Sequence, residues 1–186
     1  NEPMILTITQ ANYIKRMPPS TFKVQNRGGT GIKGMETKED DEIAMVKYTH
    51  NHDYVLFFTN YGKVYKLRTF QIPKASRTAK GQALVNLLPL EKNEIVTSVM
   101  IMKAKKEKAE YLIMGTKDGN VKKTELSEYE NVRKSGLIAI KLREGDRLNW
   151  VCPVNQGDEV VMISKNGKCI RFDEAEARAM GRTAMG

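Results

Sequence analysis

The chain has 186 residues, 40% hydrophobic and 28% charged, which suits one folded domain or a short array of repeats. Lys and Arg number 31 against 22 Asp and Glu, a formal +9, and such a balance favours a polyanionic partner. No apolar run reaches the roughly 18 residues of a spanning helix, no secretory leader is visible, and Cys152 and Cys169 form no CxxC and have no nearby histidine; together these argue against a membrane span, a disulfide framework and a zinc site, and for a reducing compartment.

In chain order, the first element is an apolar strand over residues 6–9, a turn at Asn12 and a second strand ending in Arg16. The glycine-rich stretch Gln25-Asn26-Arg27-Gly28-Gly29-Thr30-Gly31 follows, then Lys33. Residues 36–42 hold five acids in seven positions and are expected as a solvated turn. His50 and His52 flank Asn51 in a turn and are read as structural. Residues 56–66 repeat the strand, turn and strand, with the turn at Gly62 and the terminal base Lys66. Arg68, Lys74, Arg77 and Lys80 lie in the following loop, which ends at Gly81. Residues 83–88 and 95–100 read as strands on either side of an acidic turn over 91–94. A basic insertion over 103–108 precedes a third copy over 113–123, ending in Lys123. Its loop carries Arg133 and Lys134 and closes at Gly136. Strands are expected over 137–142 and 148–151, the latter carrying Trp150 into the core, with an acidic turn over 144–146. A fourth copy over 161–171 ends in Arg171. Residues 173–179 suit one or two helical turns, since Ala and Glu are good helix formers. The cysteines are expected as small buried side chains.

These copies form an internal repeat. The hydroxyl residues Thr9, Thr59, Thr116 and Ser164 are equivalent, at offsets of 50, 57 and 48, and the turn position is Asn12, Gly62, Gly119 or Gly167. Asn and Gly tolerate the positive φ of tight hairpin turns, so each copy is read as a β-hairpin. Six residues beyond each terminal base stand Phe22, Ile72, Tyr129 and Ala177, read as loop anchors. Arg77 to Arg182 and Gly81 to Gly186 keep the 105-residue offset that relates the second hairpin to the fourth. The third loop is two residues shorter. Each unit holds about four short strands in roughly 50 residues, the size of a propeller blade. The expected architecture is an all-β, propeller-like array, a single partial domain over residues 1–186. Its units are approximately 1–50, 51–100, 101–150 and 151–186. The opening at Asn1 and the shortened fourth unit read as a piece of a longer chain.

Residues 25–31 resemble the box motif of the C-terminal domain of the DNA gyrase A subunit: Gln, a base, Arg, Gly, Gly, a base, Gly. Gln25, Arg27, Gly28, Gly29 and Gly31 match, while Asn26 and Thr30 stand at the two basic positions. Residues 53–60, 72–81, 85–88, 170–172 and 180–182 are similar to the same family, so the resemblance spans the chain. It implies a β-pinwheel, about three and a half to four blades of a six-bladed disc, that wraps double-stranded DNA around a basic rim. It also implies the accessory domain of an ATP-dependent type II topoisomerase, supporting negative supercoiling. The implied partners are the N-terminal breakage–reunion core of the same polypeptide and the ATP-binding gyrase B subunit in an A2B2 assembly, in the bacterial cytoplasm at the nucleoid. ATP and Mg would serve the whole enzyme; no cofactor or metal is assigned here, and no catalytic residue, because no nucleophile–base pair, metal cluster or Walker-type loop is present. Wrapping requires many phosphate contacts and little base readout. The expected DNA-contacting residues are the five box residues with Arg16, Lys66, Arg68, Lys74, Arg77, Lys80, Lys123, Arg133, Lys134 and Arg171. Two alternatives stand beside this reading: the equivalent domain of topoisomerase IV with a degenerate box, and a protein-binding propeller whose basic loops are incidental.

Overall fold

The computed structural model of the chain describes residues 1–21, 41–104, 111–163 and 167–186. Those residues are all-β, with short 3-10 turns and no α-helix. The expected box, residues 25–31, lies outside them, as do Phe22, Lys33 and Ser164.

Three hairpins are built alike. The first is β1 (Pro3–Thr9) with β2 (Tyr13–Met17); β3 (Ile43–His50) pairs antiparallel with β1. The second is β4 (Tyr54–Thr59) with β5 (Lys63–Arg68). After its loop come β6 (Gln82–Ala83) and β7 (Val96–Met102). The third is β8 (Tyr111–Thr116) with β9 (Val121–Glu125), followed by β10 (Leu137–Ile138) and β11 (Leu148–Val154). The last pair is β12 (Glu159–Ile163) with β13 (Cys169–Asp173). The sheets are open, in the orders β3-β1-β2-β6, β10-β5-β4-β7, β11-β8-β9 and β12-β13. The short strand after a loop therefore pairs with the previous hairpin: β6 with β2, and β10 with β5. Strand exchange of this kind is what a pinwheel requires.

The hairpin turns follow the expected chemistry. Asn12, Gly62, Gly119 and Gly167 all have positive φ, from 62° to 89°. The amide of each of the first three donates to the Thr9, Thr59 or Thr116 carbonyl. The Thr9 and Thr116 hydroxyls then accept the amides of Tyr13 and Asn120, closing the turn from the side chain. The loop anchors Ile72 and Tyr129 are fully buried, and Ala177 is half-buried.

Two compact units divide the chain. One comprises Asn1–Leu56, Lys66–Asn93 and Ile101–Lys105; the other comprises Phe57–Tyr65, Glu94–Met100 and Lys106–Gly186. The first has a core of Met4, Leu6, Ile8, Ile14, Met17 and Leu84, the second one of Phe58, Tyr65, Leu112, Met114, Tyr129 and Leu148.

Five expectations need correction. The strands read over 83–88 and 137–142 are only two residues long, because the following amides fold inward to the hairpin tips. Leu84 donates to the Asn12 carbonyl at 2.8 Å, and Ala139 to that of Gly62 at 2.7 Å. The helical turns read over 173–179 are a single 3-10 turn, Glu174–Glu176. Asp41, at the end of the acidic cluster, is buried and accepts the Ala11 amide at 3.0 Å, so this acid serves the first hairpin turn instead of facing water. Both cysteines are exposed, since β11 and β13 each stand at the edge of a sheet. Trp150 is half-buried and packs at the margin of the small cluster around Ile113, Val154 and Val160.

Candidate nucleic-acid interface

The basic side chains at the hairpin ends divide by neighbour. Alternation along β2 places Lys15 and Arg16 on opposite sides of the strand. Arg16 turns back onto the following loop: its Nε donates to the Ile72 carbonyl at 2.6 Å, and its Nη1 to Asn51 Oδ1 at 3.3 Å. The main chain there is bridged too, Arg16 N to Pro73 O at 3.0 Å and Ala75 N to Arg16 O at 3.1 Å. Lys123, its equivalent on β9, is buried, with Nζ 2.6 Å from Glu174 Oε2 and 3.0 Å from the Glu174 carbonyl. The Lys123 hydrogen bond holds the Glu174 carboxyl below its usual range, helped by the Gly157 amide. Arg171 is exposed and pairs with Glu159 across β12 and β13. The recurrence of a base at this position thus records a shared loop attachment in two copies, and the geometry gives Lys123 and Arg16 internal partners.

The second loop differs from the rest. Over residues 66–83 it carries Lys66, Arg68, Lys74, Arg77 and Lys80 and no acid. Lys66 Nζ lies 4.0 Å, and the Arg68 guanidinium 3.9 Å, from the centroid of the half-buried Tyr54 ring. Cation–π contact places these two side chains on the same ring. Arg68 also donates to the His52 carbonyl at 2.8 Å. Lys80 stands 4.0 Å over the Tyr13 ring. Lys74 is exposed and Arg77 half-exposed. By contrast, Arg133 and Lys134, though exposed, share their loop with Glu125, Glu128 and Glu130. The fourth loop mixes Asp173, Glu174 and Glu176 with Arg178 and Arg182. Of these three loops the second alone carries bases and no acid in its sequence.

Sequence reasoning missed the residue beside each terminal base. Lys15 is buried, and its Nζ donates to the carbonyls of Ser76, Arg77 and Ala79 at 3.0, 2.6 and 2.8 Å. Lys122, 107 residues on, is buried likewise and donates to Ala139, Gly181 and Arg182 carbonyls at 2.5, 3.4 and 2.5 Å. Burial lowers both lysine pKa values, that of Lys122 to about 8. In the second hairpin the same position is Tyr65, whose hydroxyl donates to Glu94 at 3.0 Å. That apolar ring in the repeat frame was the available signal that the position faces inward.

The acidic turns hold a second set of internal groups. Asp41, Glu94 and Asp146 are buried behind the three hairpin turns. Glu94 accepts the Thr59 hydroxyl at 2.7 Å, and Asp146 the Asp118 amide at 3.0 Å. Desolvation raises the Asp146 pKa, but hydrogen bonds from Thr116, the Asp118 and Arg147 amides and Asn120 outweigh it and leave the carboxyl below its usual range. No cluster of three potential metal ligands occurs among the described residues.

The chain matches the family described as "DNA gyrase C-terminal domain, beta-propeller" over residues 3–46, 53–101, 110–155 and 158–186. It is 46% identical over 183 residues to the DNA gyrase A subunit of Halalkalibacterium halodurans, covering 98% of this chain and 22% of that protein. It is 45% identical over 185 residues to the DNA gyrase A subunit of Clostridium acetobutylicum, covering all of this chain and again 22% of the relative. The chain therefore spans about a fifth of the length of these relatives. Among solved structures it is similar to the C-terminal domain of DNA topoisomerase IV, with TM-score 0.81 and 26% identity, covering 100% of this chain and 56% of the other. A DNA gyrase A C-terminal domain matches with TM-score 0.76 and 25% identity, covering 100% and 59%.

Proposed function

The chain belongs to the family of DNA gyrase C-terminal β-propeller domains, and from that premise we propose that it binds and wraps duplex DNA as the accessory domain of a gyrase A subunit. The observation that carries this is the second loop, with five bases and no acid over residues 66–83. A phosphate backbone needs such a sequence-independent row of charges, and each neutralised phosphate releases counterions. The loop is held at its base by Arg16 and Lys15, so the charges are presented on a fixed backbone. The box residues Gln25, Arg27, Gly28, Gly29 and Gly31 supply a further contact in the preceding loop, which by the repeat is its equivalent. Among the described residues, Lys66, Arg68, Lys74, Arg77 and Lys80 are the principal proposed contacts, with Arg133, Lys134 and Arg171 secondary.

In this reading the chain contributes no catalytic group. Strand cleavage belongs to the breakage–reunion core of the same polypeptide. ATP and Mg are used by the whole enzyme, an A2B2 assembly with the gyrase B subunit that works at the bacterial nucleoid. The 46% identity to a gyrase relative, together with the five matching box positions, favours gyrase over topoisomerase IV.

The test is the salt dependence of duplex binding by the complete protein. The logarithm of affinity should fall linearly with the logarithm of salt concentration, with slope about −0.9 per phosphate contacted, and with little dependence on sequence. A flat dependence would remove the wrapping reading and favour a protein-binding propeller.

A further inference from the structure

We infer that Lys15 is the positioning residue of the DNA-contacting second loop: its buried ammonium gathers the Ser76, Arg77 and Ala79 carbonyls and so sets the bulge from which Arg77 and Lys80 are presented. This rests on the DNA-binding reading above and specifies how that surface is built. Three observations carry it.

The first is geometric. Three carbonyl oxygens from four consecutive residues lie 2.6–3.0 Å from one Nζ, on a side chain that is 0% exposed. Charge-assisted hydrogen bonds of this kind are about twice as strong as neutral ones. The three carbonyl dipoles point inward to the ammonium, and the loop curves around it. Gly81 completes the curve: its φ is +85°, and a Cβ there would sit 2.4 Å from the Ile14 carbonyl oxygen.

The second is the recurrence in Lys122. Lys15 and Lys122 are 107 residues apart, as are Thr9 and Thr116. The acceptors Ser76 and Arg77 correspond at the 105 offset to Gly181 and Arg182, whose carbonyls Lys122 holds. One device therefore appears twice, each time with the lysine on one hairpin and the loop from the following unit.

The third is the exception. The second hairpin has Tyr65 at this position, and the loop it meets is the shortened one: Lys123 to Gly136 spans 13 residues, against 15 from Lys66 to Gly81 and 15 from Arg171 to Gly186. The Tyr65 ring lies against Gly136, where a Cβ would come within 2.7 Å of Cε1. The longer loops meet an ammonium, and the shorter one meets a ring. The two additional residues are the bulge that the lysine organises. Of the loops with a described clasp, only the one held by Lys15 is free of acids.

The experiment compares Lys15→Met with Lys122→Met in the complete protein, using a mixed-sequence linear duplex as probe. Lys15→Met touches no DNA, yet it should reduce the magnitude of the salt slope by roughly 1.8, the loss of two phosphate contacts. Adding Arg77→Ala and Lys80→Ala to it should produce little further change. Lys122→Met removes the same clasp from the Gly181–Arg182 bulge, to which no DNA contact is assigned, and its salt slope should be unchanged. If Lys15→Met fails to fold, Lys15→Gln keeps two donors and should give an intermediate slope. Hydrogen exchange over residues 75–80 should accelerate in either Lys15 variant. An unchanged slope in Lys15→Met, or an equal loss in Lys122→Met, would overturn the positioning role, since the effect would then be absent or merely general destabilisation. If the unsubstituted protein shows no salt-dependent binding, the DNA reading itself fails. Accelerated exchange in Lys15→Met would then mark a loop clasp without a DNA role.

Discussion

At the scale of the residue, two glycines with nearly the same φ separate conformational strain from close approach. Gly81 and Gly119 have φ of +85° and +89°. Alanine at either site carries the left-handed penalty of roughly 1–2 kcal/mol. At Gly119 nothing lies within 4 Å of an added Cβ, whereas at Gly81 the Ile14 carbonyl oxygen lies at 2.4 Å. Gly81→Ala should therefore lose clearly more stability than Gly119→Ala in urea unfolding; equal losses would mean that the Gly81 backbone relaxes freely. A second pair of residues fixes a pH dependence. Lys122 and Tyr129 both donate to the Ala139 carbonyl, at 2.5 and 3.2 Å. Desolvation lowers the lysine to about 8 and raises the phenol to about 12. Between pH 8 and the ordinary lysine value of 10.5, the unfolded chain holds a proton that the folded chain has released, so raising the pH favours folding. Above the ordinary tyrosine value of 10.0 the unfolded phenol ionises first, so stability falls as pH rises toward 12. Urea midpoints should rise from pH 8 and turn over above pH 10. Lys122→Met should flatten the rise, and Tyr129→Phe should remove the fall.

At the scale of the element, the proposed DNA contacts fall mainly in the loops, and the hairpins carry the frame. Lys74→Ala, Arg77→Ala and Lys80→Ala together should lower duplex affinity and reduce the magnitude of the salt slope by about 0.9 for each phosphate lost. Arg133→Ala with Lys134→Ala should do much less, because Glu125, Glu128 and Glu130 already offset those charges. Titration at several salt concentrations distinguishes the two, and equal effects would return the interface to a uniform rim. The hairpins were legible because apolar strands flank Asn12, Gly62, Gly119 and Gly167, and the structure places all four at positive φ. The clasp was not legible. Lys15 and Lys122 sit in the doublets Lys15-Arg16 and Lys122-Lys123, where composition alone says surface. Burial of an ammonium becomes favourable only when three carbonyls converge on it, and most of those come from residues at least 59 positions away in the loops of the next unit. Separations of 51 and 72 positions likewise hid the Lys123–Glu174 pair and the folding of the residue 83–88 stretch onto Asn12. Side chains that answer to local turn rules were readable from sequence; those that answer to the following repeat were visible only as an unexplained regularity.

At the scale of the whole molecule, affinity and wrapping respond to different losses. Affinity sums over contacts, so removing one loop subtracts its share and leaves the rest. Wrapping also bends the duplex, and smoothly bending a site of 20–30 base pairs by 40–90° costs of order 1–6 kcal/mol. Phosphate contacts at the ends of the path must repay that cost. A loop whose contribution is small in a straight complex can therefore decide whether the bent one forms. The box, residues 25–31, lies outside the described residues, and its sequence keeps Arg27 and three glycines while Asn26 and Thr30 replace bases. Arg27→Ala with Gly28→Ala and Gly29→Ala should lower simple duplex affinity only modestly, because the second loop remains. On the proposed gyrase reading, the same variant in the full-length enzyme assembled with an ATP-binding partner subunit should lose negative supercoiling while ATP-dependent relaxation or decatenation survives. Lys66→Ala with Arg77→Ala and Lys80→Ala should instead reduce affinity and the salt slope together. Plasmid topology assays beside salt titrations read both quantities on the same preparations. Normal supercoiling by the box variant would make residues 25–31 dispensable for wrapping, and would mark Asn26 and Thr30 as signs of a box already out of use.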